Sequence, residues 1–129
     1  MKVLVVDDSS VVRLRIRSFL KDYALDIEEA ENGRVAVDKA LADPEIKVVL
    51  LDWNMPEMNG HEALLEMREK RDNDDLKVVM QTTENEMQQV LKALTAGADE
   101  YLMKPFDERM LVDKLAIAVG AEIPRREAP

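Results

Sequence analysis

Five times along this chain a short apolar run gives way to a longer stretch whose apolar residues recur at helical spacing. Lys2–Val6 reads as a strand, and "SSVVRLRIRSFLKDYA" after it as a helix on Val12, Ile16, Phe19, Leu20 and Tyr23, capped by Ser9 or Ser10. "LDIEEAENG" is a short, weakly apolar strand closed by Asn32-Gly33, and "RVAVDKALAD" a helix on Val37, Ala40 and Leu41 that stops before Pro44. Val48–Leu51, "LKVVMQ" and "DEYLM" supply the third, fourth and fifth strands. "HEALLEMREKR", "ENEMQQVLKALTAGA" and "DERMLVDKLAIAVGA" are the helices that follow them, with Gly97 a stop for the fourth. Val48–Leu51 has no polar interruption and so reads as buried on both faces, as strands of a parallel sheet are. Parallel neighbours require crossover helices, so the alternation specifies an α/β fold: a (β/α)5 doubly wound sandwich around a five-stranded parallel sheet.

The pattern is complete by about Ala121, which makes residues 1–121 one domain. The polar, Pro-containing "EIPRREAP" of residues 122–129 reads as a C-terminal tail or the start of a linker. A length of 129 residues with 47% hydrophobic content suffices for a single core. The net charge of −9 would repel a phosphate backbone, so no nucleic-acid partner is expected for this chain alone. The absence of cysteine excludes disulfides and thiolate metal sites, and the apolar run at the N-terminus is too short for a signal peptide. No segment reaches the roughly 18 apolar residues of a membrane helix, so a cytoplasmic location without membrane insertion is expected.

Open α/β sheets bind ligands beyond the carboxyl ends of their strands. Those ends carry Asp7-Asp8 after strand 1, Asp52 after strand 3, Thr82-Thr83 after strand 4 and Lys104-Pro105 after strand 5. Alone, Asp7-Asp8 is a helix-capping turn, Thr82 a loop hydroxyl and Lys104 a solvated charge. With strands 1 and 3 adjacent, three carboxylates share one pocket and repel unless a cation intervenes. Hard oxygen ligands with room for water suit Mg²⁺, and a lysine aimed into that rim suits an incoming anion.

Together, "VVDDS", "LLDWNMPEMNG", "QTTE" and "YLMKPF" resemble the receiver domain of two-component response regulators over about Lys2 to Gly120, and within that family its single-domain chemotaxis members most closely. The resemblance implies the strand order 2-1-3-4-5 of flavodoxin-like folds, which alternation alone does not fix. It implies that Asp52 is a phosphoacceptor for a sensor histidine kinase or phosphotransfer protein, and that the chain is a signalling switch rather than an enzyme. Mg²⁺, with Mn²⁺ as a substitute, would be held by Asp7, Asp8, Asp52 and the backbone carbonyl of Asn54. Lys104 would pair with a phosphoryl oxygen and Thr82 would hydrogen-bond another. A cis bond before Pro105 would aim the lysine, while Pro56 and Gly60 would shape the loop after Asp52. Asn54, Thr83 and Glu84 would set the lifetime of the acyl phosphate. The family has Ala or Gly where Thr83 stands, so this β-branched residue is expected to narrow access. Tyr101 would follow Thr82, reshaping a face of helix 4, strand 5 and helix 5 with Lys92, Met103 and Lys114, for an output partner the sequence does not specify.

Trp53 and Met55 read as loop packing, His61 as a surface residue, and Glu28, Glu29 and Glu31 as a solvated strand end. Two other readings stay open. The chain could be the receiver of a longer regulator with an output domain, or an Asp-nucleophile phosphohydrolase. The latter carries a second acid two residues after its nucleophile, where this chain has Asn54.

Overall fold

In the computed structural model, which describes residues 1–71, 75–83 and 87–127, ten elements alternate. They are β1 (Lys2–Val6), α1 (Ser10–Leu20), β2 (Asp26–Ala30), α2 (Gly33–Ala42), β3 (Ile46–Asp52), α3 (Gly60–Lys70), β4 (Lys77–Thr83), α4 (Met87–Thr95), β5 (Glu100–Lys104) and α5 (Glu108–Val119). All pairings in the sheet are parallel, and its order is β2-β1-β3-β4-β5, as the resemblance implied. Glu84 lies outside the described residues.

Helix starts follow from side chains that accept the free backbone N–H groups of a first turn. Ser9 accepts from Val12, Asn32 from Val35 and Asp107 from Met110. Asn59 and Glu62 form a reciprocal capping box that sets where α3 begins. Two strands are longer than their apolar cores suggest. β3 starts at Ile46 because Lys2 pairs with it across a bulge, and β4 continues to Thr83 because Thr82 and Thr83 pair with Met103 and Lys104.

The sheet separates two cores. Val6, Val49, Leu51, Val78 and Met80 meet α2, α3 and α4 on one face, whereas Val5, Val48, Leu50, Val79 and Leu102 meet α1 and α5 on the other. Side chains of a strand alternate between these faces, which fixes where each residue at a strand end points.

The segment after Ala121, expected as a tail or linker start, lies against the domain. Gly120 adopts a left-handed conformation (φ 75°) that ends α5, and the chain then runs beside the α1–β2 connection. Ala24 N–H donates to the Pro124 carbonyl at 2.8 Å and Arg126 N–H to the Asp22 carbonyl at 2.9 Å. Arg126 Nη2 donates to the Leu25 carbonyl at 2.7 Å, and the Arg125 guanidinium sits over the Tyr23 ring. Ile123 is 4% exposed, in the core beneath α1 and α5. Truncating a buried isoleucine costs about 2–5 kcal/mol, whereas a solvated linker residue changes stability by about 0.5 kcal/mol or less. Urea unfolding of Ile123→Ala is expected to show the larger loss.

Candidate functional site

Strand order brings the acidic groups together. β1 and β3 are neighbours with Val6 paired to Leu51, so Asp7 and Asp8, just beyond β1, meet Asp52 at the end of β3. Asp7 is 1% and Asp52 4% exposed, Asp8 is exposed, and one carboxylate oxygen from each lies within 4.8 Å of the others. Lys104 reaches across from the end of β5, its Nζ 2.8 Å from Asp7 Oδ2 and 3.1 Å from Asp52 Oδ1. The Lys104–Pro105 peptide bond is cis.

The turn that presents Asp7 is held from several sides. Asp7 N–H donates to the Ala30 carbonyl at 3.2 Å, Ser9 N–H donates to Asp7 Oδ1 at 2.9 Å, and the Arg13 guanidinium donates to the Asp7 carbonyl. Arg13 and Arg17 each also donate to Glu29 at 2.9 Å. Glu29, expected to be a solvated strand end, is therefore engaged. Burial pushes its carboxyl up, but the two guanidinium hydrogen bonds outweigh that and hold it below the usual range.

Burial is the dominant influence on Asp52, pushing its carboxyl up to about 6 against the pull of the Lys104 charge, with Asp7 and Asp8 adding to the rise. Burial pulls the Lys104 ammonium down, but the Asp7 hydrogen bond and the Asp52 charge leave it raised overall. The site thus holds a desolvated carboxylate short of positive charge. Three convergent carboxylates, one open to solvent, fit a small hard cation that keeps some water, and could hold one.

The loop after Asp52 is fixed by close backbone contact. Trp53 N–H donates to the Gln81 carbonyl at 3.0 Å and Gly60 N–H to the Trp53 carbonyl at 2.9 Å. A Cβ on Gly60 would lie 2.3 Å from the Asp52 carbonyl oxygen, so no larger residue fits there. Pro56 and Asn54 are exposed, while Trp53 and Met55 are buried in the core shared with α2 and α3. His61, expected at the surface, is half-buried because its ring stacks on Trp53, with centroids 5.3 Å apart.

Thr82 is 1% exposed and its hydroxyl has no partner among the described residues. Thr83 is exposed and lines, with Lys104, Pro105, Phe106 and Arg15, a cavity of about 310 Å³ beside α1. Tyr101 is half-buried on the edge strand, its ring 4.3 Å from Lys114 Nζ, which also bonds Glu100 at 3.0 Å. Met103 is half-buried beside it. Gln81 escaped the sequence reading. It is fully buried next to Asp52 in the sheet, and the signal is a lone amide that closes the apolar run Val78–Met80.

A family model for the response regulator receiver domain matches residues 3–116. The chain belongs to that family. This receiver domain is 41% identical over 121 residues to a chemotaxis protein CheY homolog of Campylobacter jejuni, covering 93% of each chain. It is 40% identical to the chemotaxis protein CheY1 of Helicobacter pylori, covering 93% of this chain and 98% of that one. Among solved structures it resembles the chemotaxis protein CheY4 of Vibrio cholerae, with a TM-score of 0.83 and 32% identity over 91% of this chain and 97% of the other. The receiver domain is a two-component signalling protein with the (β/α)5 fold of those neighbours.

The raised carboxyl of Asp52 has a consequence for stability. A folded-state value of about 6, above the ordinary 3.8, means that the folded domain binds this proton more tightly than the unfolded chain. The associated cost sets in as pH rises above about 4 and is complete above about 6, where it amounts to roughly 3 kcal/mol. Without divalent cations, Asp52→Asn is expected to be more stable than the parent by up to that amount at pH 7. Urea unfolding at both pH 7 and pH 4 should show the gain shrinking in acid; an equal difference at the two would contradict the assignment.

Proposed function

We propose that Asp52 of this receiver domain accepts a phosphoryl group from a phosphohistidine on a sensor histidine kinase or phosphotransfer protein, and that the acyl phosphate switches partner binding at the face of α4, β5 and α5. The observation that carries this reading is the buried Asp52 carboxylate, held against Lys104 and two further acids at the carboxyl ends of the strands. In the transfer, an Asp52 oxygen forms its bond to phosphorus as the phosphorus–nitrogen bond breaks, and the imidazole leaves with the electron pair.

Asp7, Asp8 and Asp52, with the Asn54 backbone carbonyl, would hold Mg²⁺, and Mn²⁺ offers the same coordination chemistry. Bound there, the cation neutralises the charge between an anionic nucleophile and an anionic donor. Lys104 follows the new charge, exchanging a carboxylate for a phosphoryl oxygen. Thr82 has a buried hydroxyl without a partner among the described residues, and it donates to another phosphoryl oxygen. Its displacement gives Tyr101 room to turn inward, so the output surface with Lys92, Met103 and Lys114 changes shape. A bias of a few kcal/mol suffices to exchange major and minor states. Asn54, Thr83 and Glu84 tune how fast water reaches the acyl phosphate, and Pro56, Gly60 and Pro105 shape the loops around it.

Incubation with a phosphohistidine donor and Mg²⁺ is expected to add a single phosphoryl mass, and Asp52→Asn to lose it. Retention of the added mass in that variant would overturn the assignment. Thr83 is exposed and lines the cavity beside Lys104, and in this reading its β-branched side chain crowds the access of water and small donors to Asp52. Thr83→Ala is therefore expected to dephosphorylate faster and to take up acetyl phosphate more readily, measured by the decay and build-up of the phosphorylated species.

A further inference from the structure

Gln81 is 0% exposed, and neither its Nε2 nor its Oε1 has a hydrogen-bond partner among the described residues. Leaving a buried polar group unpaired costs about 1–3 kcal/mol. A leucine of similar volume would fill the position without that cost, as Val78, Val79 and Met80 do in the same strand. The amide therefore calls for a partner that the resting arrangement does not supply.

Its place in the sheet indicates the partner. Gln81 is in register with Asp52 on one side and Leu102 on the other, and paired residues of parallel strands project from the same face about 4.8 Å apart. Leu102 belongs to the core beneath α1 and α5, so Gln81 and Asp52 leave the sheet toward that side, as does Lys104, two residues beyond Leu102. The unmet needs of the three groups are complementary. The Asp52 carboxylate accepts from Lys104 alone among the described residues, and the Lys104 ammonium uses two of its three protons, on Asp7 and Asp52. A donor without an acceptor thus lies beside a carboxylate with one donor. An acceptor without a donor lies beside an ammonium with a proton to spare.

We propose that Gln81 is a positioning residue for phosphoryl transfer, its Nε2 donating to the Asp52 carboxylate and its Oε1 accepting from Lys104 as the nucleophile attacks. This rests on Asp52 being the phosphoacceptor. With acetyl phosphate as donor, an Asp52 oxygen bonds to phosphorus as the acetyl oxygen–phosphorus bond breaks, and acetate leaves with the electron pair. Gln81 gains and loses no proton in that step. The bridge fixes the side-chain rotamers of nucleophile and lysine together, so its effect belongs to the rate of the step and not to capture of the donor.

The test is Gln81→Leu, with Gln81→Met as a second apolar variant should the first not fold. Three quantities are compared with the parent: stability in urea without divalent cations, Mg²⁺ affinity from Trp53 fluorescence, and phosphorylation rate over a range of acetyl phosphate concentrations. The expected result is equal or greater stability, Mg²⁺ affinity within about twofold, and a saturating rate lower by about tenfold at an unchanged half-saturating donor concentration. Parental rates in the folded variants would overturn the proposal. So would losses of stability and of Mg²⁺ affinity that accompany the loss of rate, because Gln81 would then be structural. Failure of the parent itself to take up phosphoryl would instead overturn the reading of Asp52, and this proposal with it.

Discussion

The organising constraint in this domain is a negative charge that its own fold desolvates. Asp52 ends the central strand of a parallel sheet covered on both faces, so its carboxylate leaves water at a place where Asp7 and Asp8 are already present. Such an arrangement is unfavourable by itself, because burial and like charge both resist ionisation of Asp52. Lys104 offsets part of this by bridging Asp7 and Asp52. What remains is a standing demand for positive charge, and a signalling protein can use that demand. A change of charge at Asp52 acts first on Lys104, whose ammonium bonds both Asp52 and Asp7.

Side-chain alternation in the sheet sends neighbouring residues of a strand to opposite cores. Thr82 pairs with Met103, next to Tyr101 along the edge strand, while Gln81 and Thr83 leave on the side of α1 and α5 with Lys104. One strand end thereby addresses two surfaces. The first leads to Tyr101, where the Lys114 ammonium lies over the ring, and the second to Asp52 and to the cavity beside α1 that Thr83 and Lys104 line. Around them the scaffold is rigid: Gly60 sits tightly against the Asp52 carbonyl, and Arg13 ties the Asp7 turn to Glu29 on β2.

The alternation of apolar runs and helical stretches is enough to read the fold class, because short uninterrupted runs such as Val48–Leu51, each followed by a stretch of helical period, fit strands buried on both faces of a parallel sheet. Strand order was not legible from alternation; it came with the family motifs, and the three-carboxylate cluster depends on it. The residues at strand ends, Asp7, Asp8, Asp52, Thr82 and Lys104, stood out because polar groups are unexpected at the mouths of buried strands. Others were hidden for physical reasons. Glu29 looked solvated since its partners Arg13 and Arg17 lie on a helix that sequence spacing does not dock against β2. His61 meets Trp53 only once the capping box of Asn59 and Glu62 sets the start of α3. Gln81 was passed over because one amide at the end of an apolar run does not change the run's period, and its meaning appears only with the register that pairs it with Asp52.

If desolvated, crowded carboxylates are the constraint on which the site depends, a divalent cation must relieve it directly. Scanning calorimetry of the unphosphorylated domain at pH 7, with increasing Mg²⁺, is the most direct measurement. The account requires the unfolding midpoint to rise with Mg²⁺ in the manner of a ligand that binds only the folded state, and the rise to be largely lost in Asp8→Asn, which removes the exposed carboxylate of the cluster while leaving the buried core intact. A midpoint unchanged by Mg²⁺ in the parent, or a rise of equal size in Asp8→Asn, would contradict it.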